Sequence, residues 1–259
     1  MLAIFLTAIG VGGATVVGAL LGFLFKGLSQ KFSNMVVSFA AGIMLSAAVL
    51  GLILPSIEYG GNWGVAVAVL GILVGGICIN LSDRLVPHIQ KIVAPHEVYE
   101  PPSSSSGAVT SKKAVKGVLL FVIAIGIHNL PEGIAAGVGF GAGDIENAIL
   151  IAAGIALHNI PEGMVIIAPM LAAGISPKKT FLIALATGFA EVVGTLVGFF
   201  AVSVASALLP FALAFAGGAM LYVISEEMIP ECHSSGEECK VTYAFLCGFC
   251  AMLLLDAVM

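Results

Sequence analysis

Apolar residues in this chain come in unbroken blocks of about twenty rather than in alternation. Leu2–Phe25 holds no charge, and its most polar side chains are Thr7 and Thr15. Seven similar runs follow: Met35–Ile57, Trp63–Leu85, Gly117–Phe140, Ile145–Ala173, Thr180–Ser203, Leu208–Ile229 and Thr242–Val258. A helix needs about 20 apolar residues to cross a hydrocarbon core, whereas a barrel strand shows about ten alternating ones. The pattern therefore predicts an all-α integral membrane protein, a single transmembrane domain over 1–259 with eight transmembrane helices. The break between the sixth and seventh spans falls near Ser206–Pro210. The first run lacks a charged leader and a cleavage site and is read as a span rather than a removed signal. One long polar segment, 87–116, carries PPSSSS at Pro101–Ser106 and reads as a flexible cytoplasmic loop.

Composition agrees with the pattern. The chain is 59% apolar and 10% charged, against about 25% charged in soluble domains. No basic block exists, so no nucleic-acid partner is expected; the lipid bilayer is. The five cysteines form no secreted disulfide framework. The ten basic residues sort by side. Lys26 and Lys31 flank the first connection. Arg84, Lys91, Lys112, Lys113 and Lys116 belong to the third, Lys178 and Lys179 to the fifth, and Lys240 to the seventh. The even connections have none. Positive residues stay cytoplasmic, which places both termini on the extracytoplasmic side of a multi-pass plasma (inner) membrane protein.

The chain repeats itself. FAAGIML (Phe39–Leu45) opens the second span and FAGGAML (Phe215–Leu221) the seventh, and both segments reach a proline, Pro55 and Pro230. Spans two and seven run in opposite directions. HNLPEG and HNIPEG lie in spans four and five, which are also antiparallel. A 3+2+3 inverted repeat follows, a hallmark of secondary transporters with a site near the midplane.

The doubled motif carries the chemistry. His128/Glu132 and His158/Glu162 are each four residues apart, so each pair shares a helix face about 6 Å apart along the axis. Pro131 and Pro161 lack an N–H and free carbonyls at Ile127 and Leu157. Asn129 and Asn159 add neutral oxygens, either as ligands or as hydrogen-bond partners. Glu191, midway along the sixth span with no basic residue there to pair with, is a further ligand or a buried acid bonded to backbone. Imidazole with carboxylate suits Zn²⁺, Fe²⁺, Mn²⁺, Co²⁺ or Cd²⁺. Several carboxylates balance two divalent ions better than one. Metal binding to protonated acids would release protons. Four ionisable groups at one depth are costly for scaffolding alone.

The HNxPEG pair, the Glu in ATGFAEVVG (Ala186–Gly194), FAAGIML and FAGGAMLYVISEEMIPE (Phe215–Glu231) resemble the ZIP family of divalent metal transporters, with the prokaryotic GufA-like branch nearest. The resemblance implies a helical 3+2+3 homodimer that moves Zn²⁺ and related metals into the cytoplasm through a binuclear centre. The metal is then substrate, and no cofactor is expected. Carried over, the family pattern makes His128, Glu132, His158 and Glu162 ligands, with the glutamates bridging. It gives Asn129, Asn159 and Glu191 to the second ion. Met44 matches a methionine beside the first ion, or is core. Glu58 matches an acidic entrance residue, Asp83 and His88 an exit path, and Glu226 and Glu227 inner-end ligands; each could equally be an ordinary end residue or, for Glu226 and Glu227, pair with a lysine.

One departure is a loop poor in histidine. Instead ECHSSGEEC (Glu231–Cys239) offers Cys232, His233 and Cys239 as a cytoplasmic receiving group. CGFC (Cys247–Cys250) reads as packing. Two other functions share parts of the pattern. An intramembrane di-metal hydrolase or oxidase would want HEXXH or Glu-x-x-His pairs, and here the order is His-x-x-x-Glu, so no enzyme is expected. A metal-selective channel would use the same site and differ in kinetics.

Overall fold

A computed structural model describes residues 2–24, 30–93, 126, 129–141, 143, 145–204, 206–233 and 238–258. All regular structure among them is helical. In chain order these are α1 (Leu2–Leu24), α2 (Gln30–Ser46), α3 (Leu54–Tyr59), α4 (Gly64–Val93), α5 (129–141), α6 (Ile145–Ala172), α7 (Pro177–Val204), α8 (Leu209–Val223), α9 (Ile229–His233) and α10 (Glu238–Val258). Seven helical stretches among the described residues are long and apolar enough to cross a membrane. The fourth expected span is represented by α5; residues 117–125, 127 and 128 lie outside the described residues.

Two local details depart from the expected pattern. α4 continues through Pro87 to Val93, so the linker expected from Pro87 starts later. Proline removes one bond from the ladder, yet the helix runs on across it. Residues 94–116 lie outside the described residues. The second and seventh spans are also not plain α-helices. π-helical turns at Ala47–Ile53 and Ile224–Met228 join α2 to α3 and α8 to α9. Each precedes a proline. Pro55 has no N–H to give Gly51 O, and the ladder widens there, with Leu54 N–H reaching back five residues to Val49 O. Asn147 Nδ2 of α6 then donates to Gly51 O at 3.2 Å.

The helices form two four-span bundles. In one, α1 packs on α6 and α7, and α5 lies along α7; in the other, α4 packs on α8 and α10 on α2. α6 joins them, lying against α2 and the Ala47–Ile53 turn. Small residues set these contacts, because lipid supplies no hydrophobic drive between helices and close backbone approach must.

The contacts obey the inverted symmetry. A Cβ on Gly42 would overlap Phe245 O, and its counterpart on Gly218 would overlap Ile72 O. Gly248 meets Phe39 O, as Gly75 meets Phe215 O. In the other bundle Gly163 meets Thr15 O, as Gly133 meets Glu191 O. Gly12 and Gly188 face one another's carbonyls, on the pseudo-two-fold axis. Spans one and two thus map onto six and seven by one shift, 176 residues, the separation of Thr15 from Glu191. Met44 and Met220 are a pair under this shift, and both are 1% exposed in the core.

Candidate metal site

α5 and α6 carry the two copies of the motif. From α5, Glu132 is buried; from α6, His158 is buried and Glu162 half-buried. Ligand atoms of Glu132, His158 and Glu162 all lie within 4.8 Å of one another. His158 Nδ1 is 3.7 Å from Glu132 Oε2 and 3.3 Å from Asn159 Oδ1. Glu132 Oε2 is buried and has no hydrogen-bond partner among the described residues. A buried carboxylate oxygen left without a hydrogen bond is costly, which fits a site built for a cation. One imidazole and two carboxylates leave coordination positions for water or a further ligand, the set expected of a borderline divalent ion. His128 lies outside the described residues.

The asparagines work on backbone. Asn129 Nδ2 donates to Thr187 O of α7 at 3.4 Å, and Asn159 Nδ2 to Val11 O of α1 at 3.1 Å. Val11 and Thr187 are symmetry mates, so the two bonds are one contact made twice. Glu191 is fully buried on α7. Its Oε2 accepts from Thr15 Oγ1 at 2.9 Å and its Oε1 from Asn159 Nδ2. It is not in the Glu132–His158–Glu162 group, although Asn159 links it to His158.

The other expected residues are dispersed. Met44 is buried in the apolar core with Ile151 and Ile155. Glu58 is exposed near the end of α3. Asp83 and His88 stand on α4; their side chains are outside the described residues. Glu226 is exposed and Glu227 half-buried in the second π turn. Cys232 is buried and its carbonyl accepts from Asn34, whereas His233 and Cys239 are exposed. These three are not gathered as Glu132, His158 and Glu162 are.

Thr15 escaped the sequence reading. In the first apolar run it is one of two polar side chains and no role was assigned to it. The signal was present: the shift that superposes Phe39 on Phe215 sets Thr15 opposite Glu191.

Apolar helices in an inverted repeat, holding imidazole and carboxylates where the two central spans meet, define a polytopic membrane protein with an internal candidate site for a divalent cation. The sequence profile of the ZIP zinc transporters matches residues 95–256. The zinc transporter GufA of Myxococcus xanthus is 38% identical over 95% of this chain and 94% of its own length. The zinc transporter ZupT of Chlorobaculum parvum is 36% identical over 87% of this chain and 86% of its own, and the zinc transporter ZIP11 of Homo sapiens 30% over 94% and 93%. The chain belongs to the ZIP family, a family of multi-pass membrane transporters rather than enzymes.

Proposed function

We propose that the chain carries Zn²⁺, and related divalent ions among Fe²⁺, Mn²⁺, Co²⁺ and Cd²⁺, across the plasma membrane into the cytoplasm. The observation that carries this reading is the buried group of Glu132, His158 and Glu162 with ligand atoms within 4.8 Å. The kinship with the zinc transporters GufA, ZupT and ZIP11 supports zinc as the cargo.

The ion sheds water and takes oxygen and nitrogen ligands in its place. Glu132, His158 and Glu162 hold the first ion, with His128 of the first motif completing the set. Asn129, Asn159 and Glu191 serve a second. Glu132 and Glu162, symmetry mates, bridge the two ions. Met44 borders the first ion, Glu58 lies on the way in, and Asp83, His88, Glu226 and Glu227 on the way out, towards Cys232, His233 and Cys239. Both termini are extracytoplasmic, and two copies assemble as a homodimer.

The test is uptake of labelled Zn²⁺ into proteoliposomes, with bound metal counted by equilibrium dialysis. Saturable uptake and two bound ions per chain, both lost in Glu162→Ala, are expected. Undiminished uptake in that variant refutes the reading, and single-channel current in planar bilayers would replace the carrier with a channel.

A further inference from the structure

We propose that Thr15 is a positioning residue for Glu191, acting on the second ion through that carboxylate and not on the ion directly. The proposal rests on the binuclear reading above. Thr15 and Glu191 are both fully buried, on α1 and α7. Thr15 Oγ1 donates to Glu191 Oε2 at 2.9 Å, while Asn159 Nδ2, from α6, donates to Oε1. A carboxylate held at one oxygen can turn about its terminal torsion, which is broad. Held at both oxygens from two helices, its plane is set.

A buried threonine has an easier option. In a helix its hydroxyl can bond back to the preceding turn. Thr195 does so to Glu191 O at 2.8 Å, and Thr187 to Ala184 O at 2.9 Å. Thr15 instead reaches across to a carboxyl partner 176 residues away. The backbone is brought there deliberately. Gly163 lets α6 close on the Thr15 carbonyl, and Gly12 with Gly188 lets α7 close on α1.

Symmetry gives the reason for a hydroxyl. Thr15 is the mate of Glu191, so a faithful repeat would set two carboxylates against each other across the axis. Like charges that close repel strongly in a poorly screened interior. Threonine at one of the two positions turns that repulsion into a charge-assisted hydrogen bond. One repeat supplies the ligand and the other supplies its holder.

The experiment uses the full chain, reconstituted, with Zn²⁺ as probe, in Thr15→Val, Thr15→Ser, Glu191→Gln and the Thr15→Val/Glu191→Gln double variant. Thr15→Ala replaces Thr15→Val should the valine chain fail to fold. Loss of the hydroxyl should weaken second-ion binding and raise the half-saturating Zn²⁺ about tenfold, the scale of a hydrogen bond to a charged group. First-ion affinity and the maximal rate should hold. Thr15→Ser should restore wild-type values, and Thr15→Val should add nothing in the Glu191→Gln background. An equal defect in Thr15→Ser, a full additional loss in the double variant, or unchanged second-ion binding in Thr15→Val overturns the proposal while a two-ion wild type stands. A wild type that binds one ion overturns the binuclear reading and this proposal together.

Discussion

Gly163→Ala is the sharpest probe of how the site is held. A methyl there would overlap Thr15 O and stand 3.0 Å from Thr15 C and 2.9 Å from Ala19 N, all backbone. Backbone cannot rotate away as a side-chain tip can. To regain ordinary contact α1 and α6 must part by about 1 Å, the rough difference between overlap and the 3.4–4 Å of normal packing. Of the bonds around it the first, Asn159 Nδ2 to Val11 O at 3.1 Å, spans that seam, and a second beside it, Asn159 to Glu191, joins α6 to α7. A parting of about 1 Å takes the first beyond hydrogen-bond range. Overpacking of this kind costs about 1–3 kcal/mol, which at about 2–4 °C per kcal/mol lowers the midpoint by about 2–12 °C. Thermal melting in detergent reads the stability, and Zn²⁺ uptake in proteoliposomes reads the site, with at least a tenfold loss expected. Gly10→Ala is the control, since a methyl there meets nothing within 4 Å. Gly133→Ala, the symmetry mate against Glu191 O, should behave like Gly163→Ala. A Gly163→Ala protein as stable and as active as Gly10→Ala would refute the close-approach reasoning.

Three further outcomes are expected. Glu132→Gln and Glu162→Gln should each weaken Zn²⁺ binding by at least about tenfold, since even residues that only support ligands give 10–100-fold losses; titration calorimetry at fixed pH checks this, and unchanged affinity in both rejects the site. Zn²⁺ at about 100 times its dissociation constant should stabilise the protein by about 2.7 kcal/mol, visible as a raised melting midpoint that a chelator reverses; no shift means no binding to the folded state. Asn34→Ala and Ser56→Ala remove ties between spans two and seven, Asn34 Nδ2 to Cys232 O at 3.1 Å and Ser56 Oγ to Pro210 O at 2.7 Å. Each should cost about 1 kcal/mol, and the two should add because they sit at opposite ends of the pair; a strongly non-additive double variant would show that the two ends communicate.

Much of this was legible in the residues. Membrane crossing follows from run length alone, because hydrocarbon admits only segments that satisfy their own backbone. The two HNxPEG copies pointed to a buried polar cluster, and Glu132, His158 and Glu162 do gather at the motifs. FAAGIML and FAGGAML revealed the inversion. Helix details were less legible. A proline in an apolar run predicts a missing hydrogen bond but not its repair, and at Pro55 the repair is a π turn with Asn147, 96 residues from Gly51, capping the stranded carbonyl. Burial was not legible either. Cys232 and His233 are adjacent in sequence, yet the first is buried and the second exposed, because a helix turns neighbouring residues to different faces.

The sequence by itself thus determined the apolar membrane helices, the family and the internal repeat, since each is written in local periodicity or in short motifs. Only the tertiary structure decided which acid sits beside which partner. Glu132, Glu162 and Glu191 look alike as buried carboxylates in apolar helices. Packing at Gly163, Gly133 and the Gly12–Gly188 crossing sets the first two beside His158 and turns the third towards Thr15 and Asn159. A carboxylate's role is fixed by the donors around it, and in lipid those donors arrive from other helices whose approach no local pattern encodes.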